Sequence, residues 1–291
     1  MRQMVVASGK GGTGKTTIAA SFAALAGRIV LADCDVDAAT LHLLLRPRVV
    51  SKQEFQGSKL ATIDKEKCTE CGLCKDACRY DAIRDFEVDP IMCEGCGVCA
   101  YVCPAGAISL RERVSGHAYI SDTKYGPMSH AKLGTAEANS GKLVALVRQN
   151  ARFLAEKEGL DTILIDGPPG IGCPLISSLT GVDLAVMVAE PTLSGRHDLE
   201  RVMAVANHFK VRQVVIINMH DINEANAESI VESCRRNGVS VVGMIPFDPT
   251  VIRAMVAGEP VVEYSPRCPA SREIRKAWHD VLFTLGRNSQ P

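Results

Sequence analysis

Eight cysteines in two identically spaced sets constrain this chain most strongly. The spacing is C-x2-C-x2-C-x3-C in both sets, which comprise Cys68, Cys71, Cys74 and Cys78, and then Cys93, Cys96, Cys99 and Cys103. In this pattern three thiolates surround one iron–sulfur cubane, and the fourth ligates the other cluster. We therefore predict two [4Fe-4S] clusters with interleaved ligands. One would use Cys68, Cys71, Cys74 and Cys103, and the other Cys93, Cys96, Cys99 and Cys78.

Disulfides and structural zinc are the alternatives for so many cysteines. No charged-then-apolar leader precedes the apolar stretch Met4 to Ala7, so no secretory signal favours disulfides. Eight thiolates could hold two zinc ions, but zinc sites usually separate two CxxC pairs by a long loop. The clusters are the favoured interpretation, and zinc stays open.

The cysteine-rich segment is an internal duplication. Residues 61–83 align without gaps on 86–108, which matches every cysteine and also pairs Asp64 with Asp89. Each half predicts a short strand, a cluster loop and a short helix. Residues 61–110 thus resemble a bacterial two-cluster ferredoxin. Pro104 follows Cys103 as in that family, but Arg79 follows Cys78, and this cation could make the two cluster potentials unequal.

A phosphate-binding loop follows the first apolar strand. Residues 8–17, SGKGGTGKTT, contain the pattern G-x4-G-K-[ST] and precede a helix-like segment. Glycines let backbone N–H groups surround phosphate oxygens, the lysine reaches the terminal phosphates, and the following hydroxyl can ligate Mg²⁺. The predicted nucleotide contacts in this loop are Gly9, Lys10, Gly11, Gly12, Thr13, Gly14, Lys15, Thr16 and Thr17, with Thr16 as the Mg²⁺ ligand.

The additional lysine, Lys10, makes this loop resemble the deviant Walker A motif of the MinD, Mrp and ParA ATPases. In that family the early lysine reaches the partner's nucleotide, so the resemblance implies an ATP-dependent homodimer. Residues 29–37 resemble the family's second strand and switch I, and residues 162–170 (TILIDGPPG) resemble its Walker B strand and switch II.

Acidic residues in these motifs have different predicted roles. Asp166 ends an apolar strand, where it can hold the Mg²⁺ hydration shell, and the resemblance implies that Asp35 orients the attacking water. Asp33 and Asp37 are either switch residues or solvated strand ends. The resemblance also places Asn218 beside the base and favours ATP or ADP over guanine nucleotides.

Apolar runs alternate with helical stretches along the rest of the chain. Strands are predicted at 4–8, 28–33, 162–166, 183–189, 213–218 and 241–245. This alternation predicts an α/β fold, a doubly wound and mostly parallel P-loop NTPase sheet, with an inserted α+β two-cluster ferredoxin domain. The predicted boundaries are 1–55 and 140–291 for the discontinuous ATPase domain, 56–110 for the ferredoxin domain and 111–139 for a flexible linker.

Net charge and hydropathy indicate that neither nucleic acid nor a membrane is an expected partner. The net charge is zero, so we expect no broad basic face for nucleic acid. No apolar run approaches the roughly 18 residues of a spanning helix, and the amphipathic segment 271–285 is expected to dock on the core rather than on a membrane.

Nearly the whole chain resembles the MinD-superfamily ATPases that contain an inserted ferredoxin domain. The predicted function is a cytoplasmic, Mg²⁺-dependent ATPase whose dimerisation controls electron transfer to an unidentified redox partner. Two alternatives stay open: an iron–sulfur carrier or assembly ATPase, and a spatial regulator similar to MinD.

Overall fold

The computed structural model describes residues 1–134 and 140–286. Its strands are β1 (Arg2–Ser8), β2 (Val30–Asp33), β3 (Arg48–Phe55), β4 (Ser58–Ile63), β5 (Ile83–Arg84), β6 (Glu87–Val88), β7 (Ile108–Arg113), β8 (Gly116–Thr123), β9 (Gly126–Leu133), β10 (Thr162–Pro169), β11 (Leu184–Ala189), β12 (Arg212–Asn218) and β13 (Ser240–Ile245). Its α-helices are α1 (Lys15–Ala26), α2 (Leu41–Leu45), α3 (Leu73–Asp76), α4 (Val98–Val102), α5 (Ser140–Glu158), α6 (Cys173–Leu179), α7 (Leu193–His208), α8 (Glu224–Arg236), α9 (Pro249–Ala257), α10 (Val261–Tyr264) and α11 (Pro269–Gly286).

Nine strands form the central sheet, in the order β13-β12-β11-β1-β10-β2-β9-β8-β3. From β13 to β9 all neighbours pair in parallel. The inner strands are apolar on both faces because helices cover both sides of the sheet, and this explains their unbroken hydrophobic runs. The predicted α/β fold with a mostly parallel sheet is confirmed.

Two hydrophobic cores lie on opposite faces of this sheet. Helices α5, α6, α7 and α8 pack on one face, and α1, α2, α9, α10 and α11 pack on the other. The amphipathic C-terminal segment docks on the core as expected, since Trp278 of α11 contacts Phe22 of α1 with ring centroids 4.8 Å apart. None of the helices in the described part is long and apolar enough to cross a membrane.

The segment predicted to be a flexible linker, 111–139, is mostly β-structure. Strand β8 pairs antiparallel with both β3 and β9, and β9 joins the parallel part through β2. Ala118, Met128 and Ala131 are buried in the cores. The linker prediction was therefore wrong for residues 116–133, because long-range pairing orders a Gly-, Ser- and Thr-rich segment of weak local pattern. Residues 135–139 of the predicted linker lie outside the described residues.

Between β3 and β8 the chain forms a small unit, residues 58–113, which we call the cysteine lobe. Strand β4 pairs antiparallel with β7, β5 pairs with β6, and Ala61, Ile83 and Ile108 form part of a separate small core. The lobe leaves the sheet where Phe55 pairs with Gly116, and Gly116 in turn pairs with Leu133, beyond the carboxyl end of β2. The lobe therefore emerges at the same edge of the sheet as the phosphate-binding loop.

Candidate functional site

The phosphate-binding loop connects β1 to α1. Gly14, the residue before the helix, has φ of 90°, a left-handed conformation that glycine adopts without strain. No side chain caps the first turn, so its N–H groups remain available to an anion. Gly9 has a different role: a Cβ there would lie 2.5 Å from the carbonyl oxygen of Asp198, so only glycine permits this approach of the loop to α7.

A cavity of about 360 Å³ opens beside this loop. Its walls are the loop and α1 (Gly12, Gly14, Lys15, Thr16, Thr17, Ile18), Thr40, the end of β12 (Asn218, Met219), residues 245–248, and Val251, Ile252, Met255 and Ile274. Asn218 lines it as expected for a base contact, and its Nδ2 also donates to the carbonyl oxygen of Thr13 at 2.9 Å. The sequence patterns assigned no role to four of these lining residues: Thr40, Phe247, Ile252 and Met255.

Asp33, the last residue of β2, pairs with Asp166 of β10, and Asp35 and Asp37 follow β2. Asp33 is fully buried and accepts hydrogen bonds from the backbone N–H groups of Asp35 (3.1 Å) and Leu41 (3.2 Å). It thus shapes switch I rather than facing solvent. Burial and the neighbouring Asp166 raise the pKa of Asp33 well above its ordinary value. Asp37, by contrast, is exposed.

Asp166 is the side chain best placed to hold Mg²⁺. It is 1% exposed, and neither carboxylate oxygen makes a well-formed hydrogen bond within the described part of the chain. Burial raises its pKa to about 7, and the adjoining Lys15 and the Thr16 hydroxyl partly offset the rise. Burial also raises the pKa of Asp35, again against the charge of Lys15. Buried carboxylates without partners fit a cation site.

Lys10 does not line the cavity of its own chain. Its Nζ lies 2.5 Å from Oε1 of Glu190, 3.0 Å from Oγ of Ser194 and 3.4 Å from Oγ1 of Thr192. The loop after β11 and the first turn of α7 therefore hold this ammonium group. Reaching a partner's nucleotide would require Lys10 to leave these contacts.

The eight predicted ligand cysteines line two small cavities in the cysteine lobe. One is lined by Cys68, Cys71, Cys74 and Cys103, and the other by Cys78, Cys93, Cys96 and Cys99. This grouping has the interleaving that the sequence predicts. The duplication extends to hydrogen bonding, since the N–H of Ala82 points to Cys78 Sγ and that of Ala107 to Cys103 Sγ, both at 3.4 Å.

The thiols are not gathered tightly around one point. Across residues 1–134 and 140–286, no group of three or more His, Cys, Asp or Glu side chains forms a site for a metal ion. Burial raises the pKa of Cys74, which lies near Cys68 and Cys103, and that of Cys99, which lies near Cys93 and Cys96. Cluster binding therefore stays a prediction, based on the cysteine spacing and on the two four-thiol cavities.

Backbone hydrogen bonds join switch I to the base of the cysteine lobe. The carbonyl oxygen of Val36 accepts from Leu133 N–H at 3.0 Å, and the next residue, Gly134, donates to the carbonyl oxygen of Ser115 at 2.8 Å. Ser115 N–H in turn donates to the carbonyl oxygen of Phe55 at 2.8 Å. Val36 and Ser115 are both buried. Hydrogen bonds thus connect the segment after β2 to the point where the lobe leaves the sheet.

A family model for the CobQ/CobB/MinD/ParA nucleotide binding domain, CbiA, matches residues 4–261. The chain belongs to this family. An uncharacterised protein of Methanocaldococcus jannaschii is 37% identical over 227 residues, covering 77% of this chain and 80% of that protein. An uncharacterised ATP-binding protein of the same organism is 25% identical over 281 residues, covering 93% and 84%.

Solved structures of this CobQ/CobB/MinD/ParA family share the fold. The septum site-determining protein MinD of Pyrococcus horikoshii, complexed with Mg-ADP, has a TM-score of 0.61 at 22% identity, covering 98% of this chain and 97% of that one. At this identity the likeness shows the fold alone. The protein is thus a MinD/ParA-family P-loop ATPase by fold and family.

Proposed function

We propose that this family member is a Mg²⁺-dependent ATPase that forms a homodimer when it binds ATP. The proposal is supported by the 360 Å³ cavity beside the phosphate-binding loop and by the unsatisfied carboxylate of Asp166. Lys10 lies at the carboxyl ends of the parallel strands, where Glu190, Thr192 and Ser194 hold its ammonium group. A partner's phosphates would offer this lysine stronger charge pairing than Glu190 does.

Different residues bind the phosphates, Mg²⁺, the attacking water and the base. The N–H groups before and within the first turn of α1 bind phosphate oxygens, and Lys15 neutralises their charge. Thr16 and Asp166 would hold Mg²⁺, which supplies charge stabilisation at the terminal phosphate. Asp35, close to Lys15, orients the attacking water. Asn218 and the apolar wall around Phe247 receive the base.

We further propose that the cysteine lobe holds two [4Fe-4S] clusters and that the ATP state controls electron transfer through them. In this proposal the lobe is a ferredoxin-type insert, and the chain segments before and after it together form the ATPase domain. The observation that carries this coupling is the hydrogen-bonded path from Val36 through Gly134 to Ser115 and Phe55. Ser115 also accepts a hydrogen bond from Gly57 N–H on its Oγ at 2.8 Å, at the entrance to the lobe.

Redox titration with ADP and with ATP tests this coupling. We expect a difference of about 30–60 mV in a one-electron cluster potential, equivalent to roughly 0.7–1.4 kcal/mol of coupling free energy. Ser115→Ala keeps the backbone bonds but removes the hydroxyl that accepts from Gly57 N–H at the entrance to the lobe, so it should reduce the difference while leaving the clusters assembled. Ser129→Ala is the matched control, since this buried hydroxyl has no hydrogen-bond partner in the described part. Equal potentials in ADP and ATP would refute the coupling.

A spatial regulator similar to MinD is the second candidate, and the family and fold comparisons favour it more directly than they favour electron transfer. In that case ATP would drive a cycle between partners. Iron and acid-labile sulfide analysis after anaerobic reconstitution separates the candidates. If the protein holds no labile sulfide, the spatial-regulator function is favoured. If it passes clusters readily to an apo-acceptor protein, the carrier function is favoured.

A further inference from the structure

The duplication of the cysteine lobe provides an internal control for its surface. Three aligned positions are charged in the first half and apolar in the second half, whereas Val98 aligns with Leu73, which is also apolar and exposed. The exposed pairs are Glu66 with Ile91, Lys67 with Met92, and Asp76 with Tyr101. Ile91, Met92 and Tyr101 are 71%, 44% and 91% exposed. Because both halves form the same loop and helix, the fold itself does not require apolar side chains at these positions.

Local geometry confirms that the two halves share their backbone design. Asp89 Oδ1 accepts hydrogen bonds from the N–H groups of Ile91 (2.8 Å) and Met92 (3.3 Å). Asp64 Oδ1 accepts the equivalent bond from Glu66 N–H at 3.1 Å. The same turn therefore presents charged residues in one half and apolar residues in the other. Exposed apolar groups that a fold does not need are typical of interaction surfaces.

The apolar residues flank one of the two thiol cavities. Ile91 and Met92 come directly before Cys93, and α4 carries Val98 and Tyr101 three residues apart. Val98 is 44% exposed and lines the cavity of Cys78, Cys93, Cys96 and Cys99. We call Ile91, Met92, Val98 and Tyr101 the apolar face. Cys96, the exposed thiol of that set, lines the same cavity as Val98.

The second half of the cysteine lobe carries net negative charge in its sequence. Residues 86–108 contain Glu87, Asp89 and Glu94 and no lysine or arginine. Glu87 pairs with Lys65, which leaves Asp89 and Glu94 as exposed carboxylates beside the face. The nearby Arg113 donates to the carbonyl oxygen of Pro90. A complementary surface would therefore be apolar at its centre, with lysines or arginines at its rim.

We propose that the apolar face docks an electron-carrier protein whose contact surface is apolar and rimmed by basic residues. This inference rests on the proposed function, because it requires a cluster behind the face. In the transfer, the cluster held by the second motif loses one electron and the partner's redox centre gains it. No bond forms or breaks, and no proton is required.

Stopped-flow oxidation of the reduced holoprotein tests the docking surface. The probe is oxidised cytochrome c, a basic haem protein, and ferricyanide serves as a small oxidant that needs no docking. The variant Ile91→Gln, Met92→Gln, Tyr101→Gln should lower the second-order rate constant with cytochrome c about tenfold, since buried apolar and aromatic contacts dominate protein interfaces. Its rate with ferricyanide should not change.

The first half of the lobe supplies the matched control. Glu66→Gln, Lys67→Gln, Asp76→Gln changes the aligned positions and should alter the cytochrome c rate less than about twofold. Iron content, labile sulfide and ATPase activity are measured on every variant. If the triple variant loses its clusters, Tyr101→Gln alone is used, because this side chain is 91% exposed.

Four outcomes would overturn the proposal. The docking surface would be refuted if the cluster-loaded variant with glutamine at 91, 92 and 101 kept the wild-type cytochrome c rate, or if both triple variants lost this rate equally. Either result would leave the proposed function intact. Self-association of the wild-type chain without nucleotide that the second-half variant abolishes would assign the face to a second copy of the chain. A protein without labile sulfide would refute both the docking surface and the proposed clusters.

Discussion

Replacing Glu190 with glutamine should strengthen the ATP-dependent dimer. In the single chain, Lys10 Nζ lies 2.5 Å from Glu190 Oε1, and the two side chains are 30% and 18% exposed. For Lys10 to reach a partner's phosphates this pair must break. Exposed ion pairs contribute about 0.2–1 kcal/mol, and removing one partner of a buried pair costs about 3–5 kcal/mol. We assign this partly exposed Lys10–Glu190 pair about 1 kcal/mol, the upper end of the range for exposed ion pairs.

A symmetric dimer breaks the pair twice. Glu190→Gln should therefore favour the dimer by about 2 kcal/mol, or roughly a 30-fold lower dissociation constant. The assay is sedimentation equilibrium with a non-hydrolysable ATP analogue and Mg²⁺. Glu232→Gln is the control, because Glu232 is 62% exposed and its partner Arg235 lies 4.0 Å away on the same helix.

A double-mutant cycle decides whether the effect acts through Lys10. In a Lys10→Ala background, Glu190→Gln should no longer strengthen the dimer. An unchanged or weaker dimer in Glu190→Gln, or the same gain without Lys10, would refute the reasoning that this ion pair holds the lysine in the single chain.

Three further predictions concern the thiols, catalysis and pH. The anaerobic protein should hold about eight irons and eight labile sulfides, and Cys78→Ala should lose about half of them; tightly bound zinc without sulfide would contradict this. Calorimetry should show that Lys15→Ala loses ATP affinity, whereas Asp35→Ala should bind ATP and hydrolyse it far more slowly; equal binding losses would make Asp35 structural. Because burial raises the pKa of Asp166 to about 7, the folded form gains protons there. The contribution of the Asp166 carboxyl group to the free energy of unfolding is present below about pH 4 and is lost as the pH rises towards about 7. In urea unfolding without nucleotide, the free energy of unfolding should fall between pH 5 and 8 by about 2 kcal/mol less in Asp166→Asn than in the wild type. An unaltered pH profile in this variant would contradict the assignment.

Local patterns were sufficient to predict the ATPase core. The glycine-rich loop between an apolar strand and a helix, and the doubly buried runs of the parallel strands, each depend on residues close together in the sequence. These predicted the P-loop fold, the six core strands and the docking of α11. The cysteine spacing predicted two interleaved ligand sets, and the thiols of these sets line separate cavities, while cluster binding stays a prediction.

Tertiary structure decided what depends on distant partners. Strand β9 pairs with β2, and β8 pairs with β9 and with β3, which lies more than 60 residues earlier, so residues 116–133 could not be recognised locally. The contact between Lys10 and Glu190 joins positions 180 residues apart. Likewise, the burial of Asp33 beneath switch I and the place of the cysteine lobe at the nucleotide edge follow from strand order. Sequence determines which chemical groups the chain carries, and long-range strand pairing determines which of them meet.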